Sequence, residues 1–104
     1  MSHKGKVLEV AVIAVKPGTE ADFEVAFDMA RKLPERVKGF RGLELRRGME
    51  RPETFLLLAW WDTVDSHLRD FRESEHFEEW RAILGPFFAA PPEVFHYDAA
   101  IELG

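Results

Sequence analysis

The segment Thr54–Trp61 reads Thr-Phe-Leu-Leu-Leu-Ala-Trp-Trp, apolar at both parities of a β-strand. Side chains on a strand alternate between two faces, so such a run is stable only where both faces are covered. Residues 7–15, Val-Leu-Glu-Val-Ala-Val-Ile-Ala-Val, have the same character and are broken only by Glu9. A fold for this chain must therefore cover two strands from both sides.

The other segments supply one layer of that cover. Lys16-Pro17-Gly18 marks a turn. Thr19 is placed to cap a helix, with Asp22 in a variant of the capping box. Phe23, Ala26, Phe27, Ala30 and Leu33 then recur at helical spacing until Pro34. Gly39 opens a second strand, with Leu43, Leu45 and Met49 on one face and Glu44 and Arg46 on the other. Residues 49–53 read as a hairpin connection. Asp62 or Thr63 caps a second helix carrying Val64, Leu68 and Phe71. Ser74 caps a short third helix with Phe77, Trp80, Ile83 and Leu84 inward, ended by Gly85-Pro86. Residues 87–92 form an apolar loop, read as a lid over a pocket or, preferably, as an arm laid on a partner. Residues 93–103 read as the last strand, with Phe95, Tyr97, Ala99, Ile101 and Leu103 on one side.

The order is β-α-β-β-α-β with the second helical region split, which predicts an α+β, ferredoxin-like fold with a four-stranded antiparallel sheet. Right-handed crossovers put both helical regions on one sheet face. The other face stays bare, and Trp60 and Trp61 point in opposite directions. A second copy meeting the first sheet to sheet is the economical cover, giving a homodimer with a barrel-like interior. Residues 1–104 fit a single domain with its core at about 7–103.

Composition narrows the chemistry. The absence of Cys excludes disulfides, zinc–thiolate sites and thiol nucleophiles. The histidines, His3, His67, His76 and His96, form no H-E-x-x-H or H-x-x-H pattern, so no metal is expected. No G-x-G-x-x-G follows a strand, so no nucleotide cofactor is expected either. A net charge of −5 weighs against nucleic acid as a partner. Arg41, Arg46, Arg47 and Arg51 are interleaved with Glu44 and Glu50, the pattern of a solvated strand face. The basic N-terminus leads into a run without a small-residue cleavage site, and no apolar run reaches membrane length. The expectation is a cytoplasmic protein with no membrane partner. Asn and Gln are absent, as thermophile adaptation or genomic base composition would each produce.

The segment Phe55-Leu56-Leu57-Leu58-Ala59-Trp60-Trp61-Asp62, followed by Val64-Asp65-Ser66-His67, resembles the third strand and next helix of the antibiotic biosynthesis monooxygenase (ABM-type) family. Residues 71–80 resemble that family's broken helix. The Gly85-Pro86-Phe87-Phe88 and Pro92-Glu93-Val94-Phe95-His96-Tyr97 tail, the Lys16-Pro17-Gly18 turn and Gly39-Phe40-Arg41-Gly42 match as well, so the similarity spans roughly residues 7–103. The resemblance implies a dimeric α/β barrel. It also implies one of several activities: cofactor-independent oxygenation of polycyclic phenols, haem degradation, or quinol oxygenation. Haem degradation, as the family pattern has it, requires an Asn on the first strand. The chain has none, although Trp61 fits the pattern's Trp and His76 lies near its axial position. A relative that binds haem without degrading it remains an alternative.

The expected function is thus a cofactor-independent monooxygenase acting on a small electron-rich aromatic: a phenol, anthrone or quinol. Such chemistry needs an apolar pocket, a base and a donor for the substrate anion. His67, near a helix N-terminus and matching a family His, is assigned as the base. Tyr97 is assigned as the hydroxyl donor. Trp60 and Trp61 are assigned as walls for a flat ring, with Phe71 beside them. Arg72, and secondarily Arg81, are assigned as anion partners. Each has a plainer reading, as core, interface or solvated surface. Two other classes of function use the same fold: a non-catalytic dimer that sequesters a small hydrophobic metabolite, and a structural dimer filled by the nine phenylalanines.

Overall fold

The computed structural model describes residues 6–103; His3 and the rest of residues 1–5, and Gly104, lie outside them. The strands are β1 (Val7–Ala14), β2 (Phe40–Arg47), β3 (Thr54–Trp61) and β4 (Glu93–Tyr97). Helix α1 is Glu20–Ala30 and helix α2 is Glu75–Leu84. A π-helical segment, Ser66–Phe71, lies between β3 and α2. The strands pair antiparallel in the order β2-β3-β1-β4, the ferredoxin-like arrangement anticipated above. No helix among the described residues is long and apolar enough to cross a membrane.

The register fixes which side chains share a face. Glu9 stands opposite Ala59 on β3 and His96 on β4, and Ala11 opposite Leu57 and Val94. One face carries Ala11, Ile13, Phe55, Leu57, Ala59 and Trp61, all buried beneath the helices. Phe23, Phe27 and Ala30 of α1 and Trp80 and Leu84 of α2 close this core. Each large apolar side chain sequestered here contributes about 1.5–3 kcal/mol. The other face carries Leu8, Val10, Val12, Leu56, Leu58 and Trp60, all partly exposed, flanked by Phe95 and Tyr97, which are half exposed.

Several local expectations change. The capping box at α1 does not form: Thr19 Oγ1 donates to the Lys16 carbonyl at 2.6 Å, and Glu20 takes the Gly18 amide. Met49 is not on β2 but in the hairpin, 90% exposed, because the Gly48 amide already closes the turn onto the Thr54 carbonyl. Strand β4 stops at Tyr97 rather than reaching residue 103, leaving Ile101 and Leu103 exposed. Tyr97 pairs with Leu8, so β4, an edge strand, has nearly run out of β1 to pair with. The 87–92 loop is pinned to its own chain by Lys16 N donating to Phe87 O and Ala89 N donating to Ala14 O.

The largest change is in the segment after β3. Thr63 caps it, accepting the Ser66 amide at 3.0 Å. The Arg72 amide then reaches back five residues to the His67 carbonyl at 2.9 Å. This wider turn rotates Ser66, His67 and Phe71 inward and leaves Val64 exposed, where an α-helical spacing would have turned Val64 and Leu68 in. Gly39 allows the segment to sit this close, since a Cβ there would lie 2.7 Å from Ser66 Cβ. Such π-turns concentrate at functional sites.

Candidate active site

A cavity of about 1010 Å³ opens between the helix-covered sheet face and the π-turn with α2. Its volume is at the upper end of ordinary small-molecule sites. Trp61, Leu57, Ala59 and Ala11 form its floor, His67, Phe71 and Trp80 its inner wall, and Arg72, Arg81 and residues 88–92 contribute to its lining. The aromatic rings brace one another. Trp61 packs edge-on to Phe40 at 5.2 Å between centroids, and Phe71 packs edge-on to Trp80 at 5.7 Å.

The polar centre of this cavity is Glu9. Its carboxylate is projected by β1 at the same parity as Ala11 and Ile13, and the residue is only 5% exposed. Oε1 accepts a hydrogen bond from the Trp61 indole at 3.0 Å and lies 3.4 Å from His67 Nε2. Both of these contacts fall on the same oxygen. His67, 4% exposed, stacks on Trp61 with centroids 5.0 Å apart. Its other nitrogen, Nδ1, is 2.9 Å from Nε2 of His96 on β4. His67 is thus hydrogen-bonded through Nδ1, while Nε2 faces the Glu9 carboxyl at ion-pair distance.

Burial controls the charges. It pushes the Glu9 carboxyl up to about 7, against the opposing effects of the Trp61 donor and the Arg72 guanidinium. Burial also pushes the His67 imidazole down to about 3, helped by His96 and by Arg72. His96 is lowered by burial and Arg72 as well. The neutral imidazole expected at residue 67 is present, but through desolvation and neighbouring charge rather than a helix dipole. At pH 6 the pair is uncharged, a protonated Glu9 carboxyl beside a neutral His67 imidazole.

The sequence-assigned residues divide between the two sheet faces. Trp61, His67, Phe71 and Arg72 line the cavity together. Arg72 also lies over the Phe77 ring, 5.4 Å from its centroid. Trp60 and Tyr97 stand on the opposite face of the sheet, because strand side chains alternate and Trp61 and His96 point inward. His67 and Tyr97 are therefore not brought together within the protomer. Glu9 was not among the residues assigned from sequence. Its signal was a lone carboxylate interrupting an apolar strand at the buried parity, where a charge is costly unless partnered. No group of three or more His, Cys, Asp or Glu side chains among the described residues is arranged to hold a metal ion.

The pair makes a pH prediction. Glu9 has a raised folded pKa, so its contribution is full below 4.5 and is lost as pH rises through about 7. His67 has a lowered folded pKa, so its contribution is full above 6.5 and is lost as pH falls through about 3. Between 4.5 and 6.5 the two slopes oppose and cancel. Glu9→Gln removes one of them. Its stability relative to wild type should rise by about 3 kcal/mol across that window, read by urea unfolding at its two ends. Parallel stability curves for the two proteins would contradict the protonation scheme.

Comparison with known proteins supplies the family. The sequence profile of the family described as "Antibiotic biosynthesis monooxygenase" matches residues 7–83. The protein YczJ of Bacillus subtilis is 36% identical over 91 residues, covering 88% of this chain and 96% of its own length. A crystal structure from Bordetella bronchiseptica, of a protein designated an antibiotic biosynthesis monooxygenase, superposes with a TM-score of 0.89 at 44% identity. It covers 94% of this chain and 100% of that one. SnoaB of Streptomyces nogalater, a cofactor-independent oxygenase, shares the fold at 22% identity with a TM-score of 0.80, covering 96% of this chain and 98% of its own. The chain belongs to the antibiotic biosynthesis monooxygenase family.

Proposed function

We propose that this protein is a cofactor-independent monooxygenase whose substrate is a small electron-rich aromatic with an acidic hydroxyl or its keto form: a phenol, anthrone or quinol. The observation that carries the reading is a buried carboxylate inside an aromatic-walled cavity, pushed up toward neutrality by that burial. A base poised near neutrality is the most effective one at that pH. The base assigned from sequence, His67, is hydrogen-bonded through Nδ1 to His96 and turns Nε2 toward Glu9 at 3.4 Å, so the proton acceptor that meets substrate is Glu9, with His67 behind it. Arg72 stands beside the cavity to offset the substrate anion, and Trp61 and Phe71 hold the flat ring.

For an anthrone the balance is complete without an external reductant. Glu9 takes the proton. The anion passes one electron to O2, and the resulting radical and superoxide join in a carbon–oxygen bond. The peroxide regains the proton and loses water, so the ring CH2 and O2 become C=O and H2O.

The test is oxygen uptake by flavin-free, metal-stripped protein with anthrones, naphthols and hydroquinones. Enzyme-dependent uptake is expected, with label from ¹⁸O2 in the product. Uptake no faster than the spontaneous rate across the panel would sink the reading in favour of a metabolite-binding module.

Self-association is part of the same proposal. The face bearing Leu8, Val10, Leu56, Leu58 and Trp60, with Phe95 and Tyr97, suits a second copy packed sheet to sheet. Wild-type protein should sediment as a dimer. Leu58→Arg, which puts a charge into that apolar face, should sediment as a monomer. A monomeric wild type would refute this part.

A further inference from the structure

Glu9, His67 and His96 form a continuous line of titratable groups from the cavity to the sheet edge. Glu9 and His67 line the cavity, whereas His96 does not. His96 is half-buried on β4, the edge strand. The links are 3.4 Å from Glu9 Oε1 to His67 Nε2 and 2.9 Å from His67 Nδ1 to His96 Nε2. The proton that Glu9 takes from substrate must be held away from the carbanion until the peroxide needs it. Among the groups beside Glu9 only His67 can accept it: the Trp61 indole only donates, and Arg72 is a fixed charge.

We infer that Glu9, His67 and His96 constitute a proton relay, in which the substrate proton leaves the cavity through the His67 ring and exits to solvent from His96. Glu9 delivers its proton to His67 Nε2. His67 Nδ1 gives up its own to His96 Nε2, and His96 Nδ1 releases one to water. Both rings exchange tautomers and neither ring stays charged. Reverse passage resets them and returns the proton that the peroxide needs, so the count over a turnover is zero. Neutral imidazoles suit this role, and burial together with the Arg72 charge holds both rings neutral at pH 7. The charged or titratable groups facing the two rings are Glu9 from β1 and Arg72 from the end of the π-turn. His67 and His96 act through Glu9, so they are positioning and relay residues, not catalytic ones.

This inference rests on the monooxygenase reading for its substrate but not for its proton path, and the experiment separates the two. Ring ¹⁵N NMR of the wild-type protein should show His67 and His96 both neutral at pH 7, with one proton shared between His67 Nδ1 and His96 Nε2. The His67 signals should shift as Glu9 ionises near pH 7. A His67 ring that titrates independently near 6.5 overturns the relay. In oxygen uptake, His96→Ala should lower kcat by about tenfold, less than loss of a direct base, with KM unchanged. Added imidazole should restore kcat saturably. His96→Gln keeps a hydrogen-bonding side chain but cannot pass a proton between two nitrogens, and should show the same deficit. Unchanged kcat in both variants, or a deficit that imidazole does not relieve, overturns the relay. If the wild type takes up no oxygen, the monooxygenase reading falls and the NMR result alone decides the relay.

Discussion

Glu9→Gln should lower kcat/KM for aerobic oxidation of an anthrone or naphthol by about 10²–10⁴-fold, the usual worth of a positioned general base. The substitution is close to isosteric. The Gln carbonyl can still accept the Trp61 indole, which now meets Glu9 Oε1 at 3.0 Å. What disappears is the oxygen that takes a proton. Because a buried carboxylate near pKa 7 is itself a burden once ionised, the variant should fold at least as well as wild type at pH 8. Lost activity therefore cannot be assigned to unfolding. The pH profile gives a second reading: wild-type kcat/KM should rise through about pH 7 as Glu9 ionises, and the variant should lack that limb. A variant retaining most of its activity would remove Glu9 from the mechanism and return the choice of base to the rest of the cavity.

Trp61→Ala should destabilise the fold by about 3–5 kcal/mol, as truncating a buried Trp does. The residue is 1% exposed and is packed between Phe40 and His67, with Phe71 at 5.8 Å. It is both core and cavity floor, so the Ala variant should lose stability and function together and cannot separate the two roles. Trp61→Phe separates them. It keeps a ring in the stack but removes the only hydrogen-bond donor to Glu9 among the described residues, at a cost of roughly 1 kcal/mol. The apparent pKa of Glu9 should move further up, shifting the activity profile to higher pH. Chemical denaturation and the pH profile measure the two effects. A loss below about 1 kcal/mol in the Ala variant would contradict the packing described here.

How the site was assembled explains why part of it was readable in advance. The aromatic floor could be placed because β3 obeys a two-residue period: once Phe55 and Leu57 face the helices, Trp61 must as well, and Trp60 must not. The same rule separates His96 from Tyr97, so the hydroxyl assigned to the anion stands on the far side of the sheet. His67 was placed in the right segment, but its neighbours were not. A π-turn has no sequence period as plain as that of an α-helix, and the i to i+5 bond from Arg72 to His67 turns inward a set that an α-helical count turns elsewhere.

From the sequence alone came the element order, the ferredoxin-like sheet, the apolar second face and the family, because these follow from periodicities and turn residues that act over a few neighbours. Only the tertiary structure decided which polar groups meet. Glu9 and His67 are 58 positions apart and His67 and His96 are 29 apart, and no local pattern specifies a contact at such range. The strand register between β1 and β4 sets Glu9 opposite His96, and the π-turn swings His67 between them. Burial then shifts their protons, because desolvation is a property of the closed cavity and not of any residue in it.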